Sequence, residues 1–342
     1  MSEIIDTAIR ILSIFAMIGV GVLASRRRWF SEDFSTQLSK LLITVFYPCL
    51  LFSAILRNYT LEKIAANWSL PAGVALILLL GWGIGWIGKR TLARHYRAPT
   101  RRAFHFACAM NNYSFLPIML IAGMPLGEKG VAMVAVTTIA SDTLMWTLGF
   151  STLTAQKIHL RSLAKSLARP PLMALMAAVL LLAVTHFAGI NLASIAAGTN
   201  TLGLPDPNPT TGHTFIRILL DTLYKYLGQA TIPTSAIVCG MRMGHLKLRG
   251  LVSRIQMITL ALRMVLVPAV AILILCLLPI DPDRRLVFTV ISLMPGAMVG
   301  VSMSEVYGGD IPFISASILN THLLCIVTIP LGLWIMHALT GA

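Results

Sequence analysis

The sequence predicts an all-α polytopic membrane protein of ten transmembrane helices, arranged as an inverted 5+5 repeat with broken, crossing helices 4 and 9. Three observations predict it. Of 342 residues, 56% are hydrophobic and only 12% are charged, and the mean hydropathy is +0.80. An average soluble domain carries about 25% charged residues, so too few polar side chains remain to coat a water-facing surface. The apolar residues fall into ten runs of about the twenty residues that a bilayer core requires. Finally, the first five runs and the last five carry interruptions at corresponding places.

The first run, 4–24, has Glu3 and Asp6 at its start and continues into Arg26-Arg27-Arg28. It lacks the basic start of a cleavable signal peptide and reads as a retained span with its N-terminus outside. The second, 35–57, contains Phe46-Tyr47-Pro48-Cys49, and the third, 70–88, carries Gly81 and Gly85 as a close-packing face. The fourth, 103–124, contains Asn111-Asn112 and Pro117, and the fifth, 130–153, contains Asp142. The linker 154–169 repeats Lys157, Arg161, Lys165 and Arg169 among apolar residues, the pattern of an amphipathic helix on the cytoplasmic leaflet. Beyond it lie spans six, 170–188, and seven, 217–241, the latter with Thr231-Ile232-Pro233-Thr234. Between these two, Leu204 to Pro209 reads as an extended connector. The eighth span, 251–278, holds Arg263, and the ninth, 286–305, holds Met294-Pro295-Gly296. The tenth, 311–338, holds Asn320 and His322. The chain thus divides into a first five-helix repeat, 1–153, the linker 154–169, and a second, inverted repeat, 170–342.

Charge orients the spans. Alternate loops hold 17 of the 27 Lys and Arg residues, and basic loops stay cytoplasmic. The expectation is a multi-pass protein of the cell membrane, embedded in lipid, with both termini extracytoplasmic. The net charge of +14 is dispersed over these loops, with no continuous basic face for nucleic acid. The five cysteines lie inside apolar runs without metal-ligand spacing, so neither a metal nor a cofactor is expected. Gly83 to Arg90 resembles a phosphate-binding loop, but Arg90 replaces the hydroxyl residue and the segment ends a span. No hydrolase or metalloprotease signature is present, and an enzyme is not expected.

The chemistry lies in the interruptions. Proline removes a backbone donor and frees carbonyl groups that lipid cannot satisfy, so such breaks persist only against protein or a water-filled cavity. The second halves of spans four and nine then present positive helix N-termini to their meeting point, which favours a small anion. The candidate substrate-binding residues are Asn111, Asn112, Ser114, Pro117, Met294, Pro295, Gly296 and Asn320. For the two adjacent carboxamides, interhelical hydrogen bonding is the alternative role. Asp142 is the single acid deep in a span, where insertion costs about 2.5–3.5 kcal/mol; it reads as an ion or proton site or as a buried structural bond. Arg263 reads as a snorkelling or structurally paired cation, or as a counter-charge to substrate. Arg217, Asp221 and Lys225 read as an interfacial ion-pair ladder.

Leu38-Ser39-Lys40-Leu41 leading to Tyr47-Pro48-Cys49-Leu50-Leu51-Phe52, Leu227 to Pro233 with Gly240, and Met294-Pro295-Gly296-Ala297 followed by Tyr307-Gly308-Gly309-Asp310 are similar, in order and spacing, to motifs of the auxin efflux carrier family. The chain resembles the bacterial members, which are organic-acid permeases. One position departs from the family pattern: Met119 stands where a proline usually follows Asn112 by seven residues. The resemblance implies crossed fourth and ninth helices, with helices 1, 2, 6 and 7 as a scaffold and helices 3–5 and 8–10 as a mobile transport domain. It also implies elevator-like movement, frequent homodimers, and crossover positions at Asn112 and Pro295. The expected function is a secondary transporter of a small organic anion, a carboxylate above all. The alternatives are a cation–proton antiporter or cation-coupled symporter of related fold, or a membrane sensor that binds a ligand without moving it.

Overall fold

The computed structural model describes residues 2–113, 115–156, 169–197, 211–245 and 252–340. The long helices are α1 (Ser2–Arg26), α2 (Glu32–Asn58), α3 (Leu61–Thr91), α4 (Ala98–Ala109), α5 (Phe115–Ala122), α6 (Gly127–Thr154) and α7 (Pro170–Phe187). They continue with α8 (Thr211–Thr222), α9 (Thr231–His245), α10 (Arg254–Leu277), α11 (Pro282–Ser292), α12 (Val299–Tyr307) and α13 (Ile311–Thr340). Six of these, α2, α3, α6, α7, α10 and α13, are long and apolar enough to cross a membrane. No strand occurs among the described residues. The linker helix expected over 154–169 falls largely outside them, as do the connector from Leu204 to Pro209 and the candidate Ser114.

The helix starts follow local chemistry. Ser31 accepts a hydrogen bond from Phe34 N at 3.1 Å, and Glu32 and Asp33 occupy the positive first turn of α2. Ser253 caps α10 through Gln256 N at 3.3 Å. At α11, Asp281 accepts from Arg284 N at 3.0 Å, and Pro282 takes the first helical position, where its missing N–H leaves nothing unpaired.

Pro48 does not break its helix. A π turn, Leu42–Phe46, widens α2 just before it, and the helix runs on to Asn58. The same device precedes Pro268 in α10, at Ala261–Leu266. A third π turn, Leu223–Gly228, leads into the short interruption at 229–230, upstream of Pro233. At Pro48 and Pro268 the extra residue in the turn moves the proline ring clear of the preceding carbonyl without opening the helix.

Small residues set the close contacts. A Cβ at Gly240 would lie 1.9 Å from Ile18 O, and one at Gly21 would lie 2.2 Å from Ile237 O, so α1 and α9 touch backbone to backbone. Gly81 packs likewise against the Cys108 and Ala109 carbonyls of α4, and Gly85 against His105 and Cys108. The close-packing face read from these two glycines is present.

Candidate functional site

Two helices are interrupted in the interior, and the interruptions meet. Between α4 and α5 the chain leaves helical geometry at 110–113; between α11 and α12 it does so at 294–297. Asn111 and Gly296 form an isolated antiparallel bridge. Asn112 N donates to Pro295 O at 2.8 Å, and Ala297 N donates to Met110 O at 3.2 Å. Gly296 N donates to Thr321 Oγ1 of α13 at 3.0 Å, tying the bridge to a third element. Backbone groups freed by the breaks therefore satisfy one another across the junction, as a low-dielectric interior demands. Pro117 is not the break expected of it. It is the third residue of α5, in the first turn, where a proline costs no hydrogen bond.

The two adjacent asparagines differ. Asn111 is 0% exposed, and its Nδ2 donates to Ile291 O at 2.6 Å, fastening α11 to the junction. Asn112 is half-buried and faces a cavity of about 330 Å³. Asn112 and Tyr113 come from the junction, Tyr47 from α2, Asp142 and Trp146 from α6, and Ser235 and Arg242 from α9. Arg169, at the N-cap of α7, completes the wall and lies with its guanidinium carbon 3.3 Å from the centre of the Trp146 ring. Tyr113 Oη donates to Asp142 Oδ1. Asp142, half-buried, thus has a side-chain hydrogen-bond partner and also borders the cavity. α2, α6, α7 and α9 each contribute the part nearest a basic loop, so the cavity lies on the basic-loop side of the junction.

Of the remaining candidates, Met294, Pro295 and Gly296 are buried in the junction beneath the cavity, contributing backbone rather than wall. Pro117 is buried within α5, and Asn320 lies half-buried in α13; neither borders the cavity. Met119, at the departing position, does border it. Sequence reasoning passed over Arg169, Arg242, Tyr47, Tyr113 and Trp146. The two arginines sit beside basic loops and read as orienting charges; the signal for Arg169 was the Pro170-Pro171 that starts α7 immediately after it.

On the opposite side of the junction, charged side chains link the helix ends. Arg57 Nε lies 3.0 Å from Glu128 Oε2, and Arg57 also pairs with Asp221. Asp221 is 3.4 Å from Lys225 Nζ, the i,i+4 pair expected there, but its principal partner comes from α2. Lys129 pairs with Asp283, and Arg284 donates to Asn67 Oδ1 at 2.9 Å.

The profile of the membrane transport protein family matches residues 7–161 and 154–334. Protein PIN-LIKES 5 of Arabidopsis thaliana is 23% identical over 164 residues, 44% of this chain and 41% of that protein. Protein PIN-LIKES 7 of the same plant is 25% identical over 154 residues, 41% of this chain and 38% of that protein. The chain spans about two fifths of the length of these curated relatives. The likeness to auxin efflux carriers read from the sequence is borne out by these matches.

Proposed function

Since the chain belongs to the membrane transport protein family, we propose that it is a secondary carrier moving a small organic anion, a carboxylate in particular, through the cavity above the Asn111–Gly296 junction. It is a multi-pass membrane transporter and not an enzyme. The observation that carries the substrate reading is the junction itself: two interrupted helices paired through backbone, with the Asn112 carboxamide on the cavity side. Carriers built from inverted repeats bind their solute at such a meeting of broken helices. Arg169 and Arg242 on the wall, against one acid, Asp142, favour an anionic solute.

In this reading the ten spans are α1, α2, α3, α4–α5, α6, α7, α8–α9, α10, α11–α12 and α13, with the second five inverted relative to the first. Spans 1, 2, 6 and 7 form a scaffold, and spans 3–5 and 8–10 form a body that slides against it. The cavity on the basic-loop side and the ion pairs on the other correspond to an inward-facing state. Both termini lie outside the cell membrane, and a second copy of the chain is the expected partner.

A thermal-shift screen of mono- and dicarboxylates on purified protein, followed by flux of the best ligand in proteoliposomes, tests the reading. The expected result is a carboxylate that both stabilises the protein and crosses the vesicle membrane. Stabilisation without flux supports the sensor instead. The Tyr113–Asp142 bond on the cavity wall favours one further reading, proton- or cation-coupled movement. In that case Asp142→Asn abolishes the pH dependence of flux while sparing the fold.

A further inference from the structure

Among the described residues, Arg263 is the largest fully buried side chain, 0% exposed, and it does not snorkel to the protein surface. The π turn Ala261–Leu266 carries it, and its guanidinium is directed at the end of α11. Nη2 donates to Met294 O at 2.8 Å and to Ser292 O at 3.4 Å. Among the described residues, Nε and Nη1 have no hydrogen-bond partner, and no carboxylate forms an ion pair with the group. Its counter-charge is therefore a helix terminus. The last carbonyls of a helix carry about half a negative charge in aggregate, and here that end abuts the junction. Asn111 Nδ2 takes Ile291 O, so two side chains divide the carbonyls of Ile291, Ser292 and Met294 between them.

In carriers with broken helices, this is where a coupling cation is held: unwound carbonyls and the C-terminal end of a half-helix supply its ligands. We propose that Arg263 occupies this cation seat as a tethered, permanent charge, so that solute movement through the cavity proceeds without sodium or potassium as co-substrate. The inference rests on the carrier reading for its transport consequence, but occupation of the seat is a property of the folded protein alone. A guanidinium at this position is always protonated and cannot leave, so it fixes the geometry of Met294-Pro295-Gly296 whether or not solute is bound.

The experiment has two arms. In the first, the melting temperature of purified protein is measured in choline, sodium and potassium chloride. The wild type is expected to melt at the same temperature in all three. Arg263→Gly is expected to melt lower and to be restored by millimolar methylguanidinium but not by choline. In the second, carboxylate flux in proteoliposomes is compared with sodium or choline on both sides. Wild-type flux is expected to be equal within about twofold, whereas Arg263→Gly falls about tenfold or more and recovers with methylguanidinium. Stabilisation or acceleration of the wild type by sodium or potassium overturns the inference. So does a folded Arg263→Gly protein that methylguanidinium does not restore. Should that variant not fold, Arg263→Lys replaces it: retention of sodium-independent melting and flux supports the seat, and acquired sodium dependence with intact charge contradicts it. Absence of all flux, with the melting arm as expected, removes the carrier reading and leaves the cation seat standing.

Discussion

Asn111 and Asn112 are adjacent in the chain but serve different ends. The first is buried with its Nδ2 on Ile291 O, while the second turns toward the cavity. Deleting the Asn111 carboxamide removes a buried hydrogen bond while Ile291 O keeps the longer one from Met294 N at 3.3 Å, a loss of about 0.5–1.5 kcal/mol. Asn111→Ala is therefore expected to lower the melting temperature of detergent-solubilised protein, and an unchanged melting curve would contradict the fastening role. From sequence, the pair is visible as two costly carboxamides in one span, but their division of labour is not. It depends on which faces α11, and α11 is some 180 residues away in the chain. Arg169 and Arg242 are hidden for a different reason, since a basic residue at a span end satisfies the orienting rule whether or not it lines a cavity.

Among the elements, the π turns and the glycine contacts decide how the helices lie. Prolines at 48 and 268 look like breaks, yet a widened turn absorbs each one; hydropathy and proline position carry no sign of that. The junction breaks are legible because Asn111-Asn112 and Met294-Pro295-Gly296 place adjacent carboxamides and a Pro-Gly pair in the middle of apolar runs. Packing of α1 on α9 has a sharp test. Gly240→Ala forces a methyl group into the backbone of Ile18 and is expected to cost about 1–3 kcal/mol. A melting temperature equal to wild type would show that the two helices do not touch there. The ion pairs opposite the cavity have a smaller and different effect. Arg57 joins α2 to Glu128 at the start of α6, and a partly exposed pair of this kind contributes about 0.2–1 kcal/mol. Glu128→Gln is expected to weaken the state in which the cavity faces the basic loops. Ser302 of α12 borders the cavity, and the readout is labelling of a Ser302→Cys protein by an impermeant maleimide applied from that side. Its rate should fall by about twofold, and no change would separate the pair from the state.

Over the whole molecule, composition alone establishes that most of the chain is solvated by lipid, and the charge alternation orders the spans before any contact is known. Six helices meet the length and hydropathy of a membrane span individually. The interrupted ones do not, because breaking α4–α5 and α11–α12 divides each into halves too short to qualify. The central claim is that the paired breaks hold the solute, and Asn112 is the side chain that would touch it. Carboxylate uptake into proteoliposomes containing equal amounts of folded wild-type or Asn112→Ala protein measures this directly. The alanine protein is expected to lose about tenfold or more of the flux, with its melting temperature unchanged. Flux equal to wild type would contradict it.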